Sequence, residues 1–373
     1  MNDPISWIEE QTSYPKFLWQ DQHELRAAVG IKESFVALPS SIPEGLSLYG
    51  GMRFHPKEKD AMWSGFPASL FWQPEREVIL PSPLTTPMRV RAANPIFVIE
   101  HSDLPSKKHW KEKMQELQFQ MKRSQIDKVV FGRRRTLVFS QSLSFWSCVC
   151  NVQERMEHST LFALELSPQL GFFGASPELL FRRKKNEVVT EAVAGTRPRG
   201  HTAHEDGLYE EELFQSAKDQ EEFTYVPSFL QKTLALYCSS VNVGKKCIRK
   251  THALQHITST ISGSLRTDVS DCDLLRALHP TPALGGWPRE EALSLIANLE
   301  PFDRGWYGGP IGWATRNESA FTVAIRSCLL HHERLHAFAA AGIIQKSCAQ
   351  SEWEEIERKL ESIQNNLIAK KRI

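Results

Sequence analysis

Near the C-terminus, Glu352, Glu355 and Lys359 each stand one place before an apolar residue of the stripe Trp353, Ile356, Leu360 and Ile363. On a helix this spacing lines two carboxylates and an ammonium along the edge of the buried face. Carboxylates at i, i+3 repel unless a cation lies between them. Taken alone, the pair is explained by the preference of acids for a helix N-terminus. Ser351 and Glu354 fit a capping box and predict the start of the helix there. Upstream, Glu222 shares a helical face with Val226 and Phe229, so its carboxylate is expected to be half-buried and to need a counter-charge or a metal. Glu221 aligns with Tyr225 and Ser228 and is expected in solvent. Arg326 reads as sharing a strand face with the small residues Thr322, Ala324 and Cys328, beside Ala339-Ala340-Ala341-Gly342. That leaves room for an anionic guest, and a carboxylate suits a guanidinium fork. A buried acid of the protein itself would suit it as well.

Several familiar signatures fail. Gly195-Thr-Arg-Pro-Arg-Gly200 has the glycine spacing of a phosphate loop, but His201 stands where the phosphate-binding lysine must be. His252 and His256 lie i, i+4 with no nearby carboxylate, which fits a structural pair better than a metal site. There is no G-x-S-x-G or G-x-G-x-x-G motif. Seven cysteines with no Cys-x-x-Cys pair argue against a disulfide framework or zinc.

The elements that must position these residues belong to a chain of 373 residues whose charges nearly cancel, 45 basic against 44 acidic. No global field would hold it on nucleic acid or an anionic membrane. No apolar run reaches the roughly eighteen residues of a membrane span. The opening MNDPISWIEEQTSYP lacks a basic and an apolar signal region, so the reduced cytoplasm is the expected compartment. Residues 1–105 are proline- and tryptophan-rich and read as short strands and turns. From Ser106 the pattern changes: Trp110, Met114, Leu117 and Met121 predict a capped amphipathic helix. Asp127–Val138 reads as a strand opening with Lys128. Gly171–Arg182 and Val188–Ala194 read as a hairpin, and Ile311–Thr315, Ala320–Leu330 and Leu335–Ile344 as a meander. Helices are expected around Lys218–Tyr237, after Pro288 through Leu299, and from Glu352. The loop Gly200–Gly207 is a candidate lid or a plain solvated connection. Strands and helices do not alternate strictly, which favours an α+β fold over a doubly wound one.

Taken together, DKVVFGRR (127–134), GASPELLF (174–181), AVAGTRPRG (192–200), KDQEEF (218–223), LHPTPALGGWP (278–288), EPFDRGWYGGPIGW (300–313), FTVAIRS (321–327) and AAGIIQKSCAQSEWEE (340–355) resemble the chorismate-utilising enzymes, most closely the isochorismate synthases. The resemblance implies one large α+β domain on two antiparallel sheets with helices outside, residues 1–105 forming part of the same fold and 106–373 the catalytic core. It implies Mg²⁺-dependent conversion of chorismate to isochorismate, with water attacking C2 of the ring while the C4 hydroxyl leaves. Such chemistry needs a base, an acid and a metal. Lys128 matches the base, which must be neutral to act, and Glu178 the acid, which must stay protonated; their pKa values are expected to shift in opposite directions. Glu222, Glu352 and Glu355 match the metal ligands, suited to Mg²⁺ as hard oxygen donors. Arg326 and Tyr307 match a clamp on the enolpyruvyl carboxylate. Gly195, Thr196, His256, Gly342 and Lys359 match the substrate-lining set.

Departures from the pattern are Phe223 where relatives carry a histidine, Ala340 in place of a glycine, and Gln220 in place of an arginine. None removes a catalytic group. Ala194 occupies the position of the nucleophilic lysine of aminodeoxychorismate synthases. Anthranilate synthase component I-like enzymes lack the water-activating lysine, and no Gly-x-Cys-x-Gly glutaminase site is present, so no glutaminase partner is expected. Salicylate synthases share Lys128, Glu178 and the metal ligands and are the alternative. Enzymes of this kind serve menaquinone, siderophore or salicylate pathways, and a monomer or homodimer is expected.

Overall fold

A computed structural model describes residues 4–55, 60–81, 97–154, 159–250 and 254–367, with the side chains of Ala194, Thr196, Lys218, Glu222 and Asn366 outside the described set. Among the described residues the strands form two ten-stranded antiparallel sheets. In the first, Lys128–Phe139, Arg334–Ile344, Ser327–His331, Leu170–Ser176 and Thr160–Ser167 lie in that order and continue into Lys16–Gln20, Glu24–Val29 and Arg76–Pro81. In the second, Leu254–Leu265, Glu187–Pro198, Leu179–Lys184, Glu318–Val323 and Pro310–Thr315 continue into Ser47–Met52, Ser69–Gln73 and Glu33–Phe35. The first hundred residues thus supply outer strands to both sheets.

Alternation along the strands sorts side chains between two apolar layers. Phe17, Trp19, Phe172 and Phe338 of the first sheet meet Tyr49, Trp72 and Trp313 of the second in an aromatic layer between the sheets. Phe173, one residue on from Phe172, points the other way and meets Phe145 of the outer helix Phe145–Gln153, centroids 5.4 Å apart. Helix Lys107–Arg123 is capped by Ser106 and buries Trp110, Met114, Leu117 and Met121, as their period predicts. It packs with helix Ala349–Leu367, which lies against strand Arg334–Ile344.

Two expected strands are broken. Gly171–Arg182 divides at Pro177-Glu178, with Leu170–Ser176 in the first sheet and Leu179–Lys184 in the second. Ala320–Leu330 divides at 324–326 in the reverse direction, and Arg326 takes a left-handed φ of 52°. Arg326 therefore does not share a strand face with Thr322, Ala324 and Cys328. The two crossings are stitched together. Val323 N donates to Glu178 O at 3.1 Å, Thr322 Oγ1 donates to the same oxygen at 2.6 Å, and Ala175 N donates to Arg326 O at 3.3 Å. Gly174 makes this possible, because a Cβ there would stand 2.6 Å from the Arg326 carbonyl oxygen.

Other boundaries also move. The C-terminal helix begins at Ala349, so Ser351 lies inside it and does not cap it. Cys348 takes that place: Glu352 N donates to its carbonyl, and the amides of Ser351 and Gln350 hold its thiol below the ordinary value. The proposed lid is largely helix, since Thr202 caps Ala203–Gln215. The Asp206 carboxylate pins that helix by accepting from Arg199, Gly200 N, Lys250 and Gln255.

Candidate active site

The two crossings open onto a cavity walled by the strands Lys128–Phe139 and Arg334–Ile344, the turn before Tyr307, and the helices Ala217–Tyr237 and Ala349–Leu367. Lys128, Glu178, Gly195, His256, Tyr307, Arg326, Gly342, Glu355 and Lys359 all line it. Residues up to 231 positions apart in sequence, from Lys128 to Lys359, therefore face one space. Glu352 is buried on the same helix outside the lining. Thr196 and Glu222 stand on elements that border the cavity, but their side chains lie outside the described residues, as does all of His252.

Glu178 is 5% exposed at the strand break. Burial pushes its carboxyl up to about 7; the Lys128 charge opposes this, Glu191 adds to it, and the Thr281 hydroxyl opposes it. Lys128 is 2% exposed and opens its strand opposite Trp287 on one side and Ile344 on the other. An acid held near neutrality beside an amine is the pairing that proton transfer requires.

Arg326 is partly open to the cavity but enclosed by protein, and burial lowers its pKa while Tyr307 and Glu355 raise it. Among the described residues no carboxylate forms an ion pair with it. Tyr307 is buried, its hydroxyl held above the ordinary value by burial, and its ring stacks on Phe338 at 5.2 Å and 16°. His256 Nδ1 contacts Gly195 O at 3.1 Å; burial, then the charge of Arg326, depress the ring to about 3 and keep it neutral. Lys359 Nζ donates to Ala340 O and to Glu355 Oε1, each at 2.8 Å. The backbone at Ala340 is thus tied to the helix bearing Glu355.

Among the further lining residues, three carry polar or aromatic groups that periodicity does not point to. Asp219 accepts from Arg197 Nη2 at 2.8 Å at the start of its helix. Phe338 offers an aromatic face. Arg304 is buried and spends its donors on the scaffold: Nε on Glu300 Oε2 at 2.8 Å, Nη2 on Glu300 Oε1 at 2.5 Å and Val130 O at 2.7 Å, Nη1 on Leu284 O at 2.9 Å. Its i, i+4 spacing from Glu300 in EPFDR was the available signal.

Among the described residues, a set that leaves out the Glu222 side chain, no three of His, Cys, Asp or Glu gather as a metal-holding group. The described members of the expected set suit Mg²⁺ in kind: Glu355 presents a carboxylate to the cavity and Glu352 a buried one close by.

A family model described as chorismate binding enzyme matches residues 82–368. The isochorismate synthase MenF of Haemophilus influenzae is 28% identical over 96% of this chain and 87% of its own length. The isochorismate synthase MenF of Bacillus subtilis is 35% identical over 70% of this chain, which spans only 56% of that protein. The structure of the menaquinone-specific isochorismate synthase MenF of Escherichia coli superposes with a TM-score of 0.86 at 24% identity, covering 98% of this chain and 91% of that one, a likeness of fold.

Proposed function

Because this chain belongs to the chorismate-binding enzyme family, we propose that it is an isochorismate synthase, an isomerase that exchanges the position of oxygen on chorismate. The observation that carries the reading is the cavity itself, where a carboxyl held at about 7 stands beside a buried lysine and opposite a guanidinium with no ion-pair partner among the described residues.

In the forward direction Lys128, as the neutral amine, takes a proton from a water directed at C2 of the ring. Glu178 in its protonated form gives a proton to the C4 hydroxyl as it departs, and the ring double bonds shift between the two carbons. Glu178 needs its raised pKa for this step, because an ordinary carboxyl would already be ionised at neutral pH. Arg326 and Tyr307 bind the enolpyruvyl carboxylate, the guanidinium through paired hydrogen bonds and the phenol through one more. Neutral His256 and the Gly195 and Gly342 backbones shape the wall on which the ring rests, and Lys359 fixes Glu355 and Ala340. Glu222, Glu352 and Glu355 would hold Mg²⁺, which would supply Lewis-acid chemistry there.

Purified protein with chorismate and Mg²⁺ should produce an equilibrium mixture of chorismate and isochorismate, resolved by chromatography, with little pyruvate. Stoichiometric salicylate and pyruvate would replace the reading with a salicylate synthase. No turnover of chorismate with Mg²⁺ present would refute it.

A further inference from the structure

The clamp residue Tyr307 is supported from a part of the chain that the family model does not reach. Trp63, Phe338 and Tyr307 form a near-parallel stack with Phe338 in the middle. Trp63 and Phe338 are 5.8 Å apart at 22°, Phe338 and Tyr307 5.2 Å apart at 16°, and all three are buried. Tyr307 and Phe338 line the cavity, whereas Trp63 lies behind them. Trp63 is itself held tightly. Its Nε1 donates to Asp303 O at 3.1 Å, and Gly305, at φ +54°, leaves it room, since a Cβ there would stand 2.0 Å from the indole. The same turn is tied to the N-terminal third by Arg53 Nη1 to Asp303 at 2.8 Å and by Phe54 N to Gly305 O at 2.8 Å. Asp60, which caps the short turn Ala61–Trp63, pairs with Arg134 of the strand that opens with Lys128.

The hydroxyl oxygen of a tyrosine lies on the axis of its ring, so it moves when the whole ring swings about χ1, and a neighbour packed against the ring face blocks that swing. Phe338, stacked on the face of Tyr307, blocks that swing on its side, and Trp63 prevents Phe338 from backing away. We propose that Trp63 is a positioning residue for substrate binding, acting through Phe338 on the Tyr307 hydroxyl; this rests on the reading of Tyr307 as a carboxylate clamp. The N-terminal third then does more than extend the sheets: it supplies the back support of the clamp.

The test is a double-mutant cycle on the full-length chain with chorismate and Mg²⁺. Trp63→Met keeps an apolar side chain but no ring face, and Trp63→Phe keeps a ring face without the N–H. Trp63→Met should raise KM for chorismate roughly three- to tenfold, the worth of one aromatic stack, with kcat within about twofold. Trp63→Phe should stay within about twofold of the parent in both. In a Tyr307→Phe background, Trp63→Met should change KM by less than about twofold, because the hydroxyl it positions is gone. Equal effects of Trp63→Met in both backgrounds, or a loss confined to kcat, would overturn the proposal. If Trp63→Met does not fold, Phe338→Met breaks the same stack and is read against Tyr307→Phe in the same way. Parental KM in Tyr307→Phe alone would instead refute the clamp reading on which the proposal stands.

Discussion

Glu178 and Glu300 are both buried glutamates beside the strand Lys128–Phe139, yet they are built for opposite ends. Glu300 accepts two bonds from the Arg304 guanidinium and a third from Gly132 N at 2.7 Å, so its charge is met at once by neighbours that carry the turn toward Tyr307. Among the described residues no guanidinium pairs with Glu178. Desolvation outweighs the field of Lys128 and leaves its carboxyl near 7. One acid is committed to the scaffold by three hydrogen bonds; the other has no such set of donors among the described residues, and its carboxyl stays near 7. A buried carboxylate is therefore read by its donors, not by its burial.

The largest effects should fall on Glu178 and its neighbour Lys128. A positioned acid or base contributes roughly 10²–10⁴-fold, so Glu178→Gln and Lys128→Ala should each lose at least about two decades of kcat in steady-state kinetics. Melting temperature in Glu178→Gln should hold at pH 5, where both side chains are neutral in the folded protein. Parental kcat in Lys128→Ala would remove it as the base.

Glu300→Ala should show the reverse emphasis. It leaves the Arg304 charge buried and unmatched, which typically costs about 3–5 kcal/mol, read as a lowered denaturant midpoint. If Glu300→Ala unfolds at the parental midpoint, the contrast between the two acids is wrong.

The third difference is in pH. Glu178 holds a proton in the folded protein that the unfolded chain releases between about 4.5 and about 7. The unfolded state binds fewer protons there, so its contribution to stability is present below that window and is lost as pH rises through it, about 3 kcal/mol in all. Denaturation of parent and Glu178→Gln at pH 5 and pH 8 should show the parent losing ground at the higher pH. The kcat/KM of the parent for chorismate should decline above about pH 7.

The smallest change is expected at Glu355, which already shares its charge with Lys359. Glu355→Gln should move the half-saturating Mg²⁺ concentration several-fold upward with the fold intact, measured by activity against added metal. An unchanged Mg²⁺ titration would take Glu355 out of the metal site.

Periodicity made much of this legible. The stripe from Trp110 to Met121 and the apolar face of the last helix lie where their spacing places them. The sheet crossings did not show, because apolar alternation is the same in either sheet and nothing in it records a change of partner. Pro177 was the one local hint for the first crossing, and an arginine at left-handed φ gives none for the second. Ser351 fits a capping box as a string, but the helix runs past it because Cys348 receives the free amides. Arg304 acts on the carbonyls of Val130 and Leu284, contacts that no window of sequence contains. The roles of Lys128 and Glu178 came from the resemblance, since a lysine at a strand start and a glutamate near a turn are unremarkable alone.

The placement of the first strands has a consequence for anyone who divides the chain. Lys16–Gln20 covers the side of Thr160–Ser167, and Ser47–Met52 covers the side of Pro310–Thr315. A fragment beginning at residue 106 would leave both of those long strands bare, ready to pair with whatever chain came near. The same edges would accept their natural partner in trans. Residues 1–105 supplied as a separate polypeptide have two docking rails waiting for them, which makes the junction near residue 105 a place to split the protein and let turnover report the reunion of its pieces.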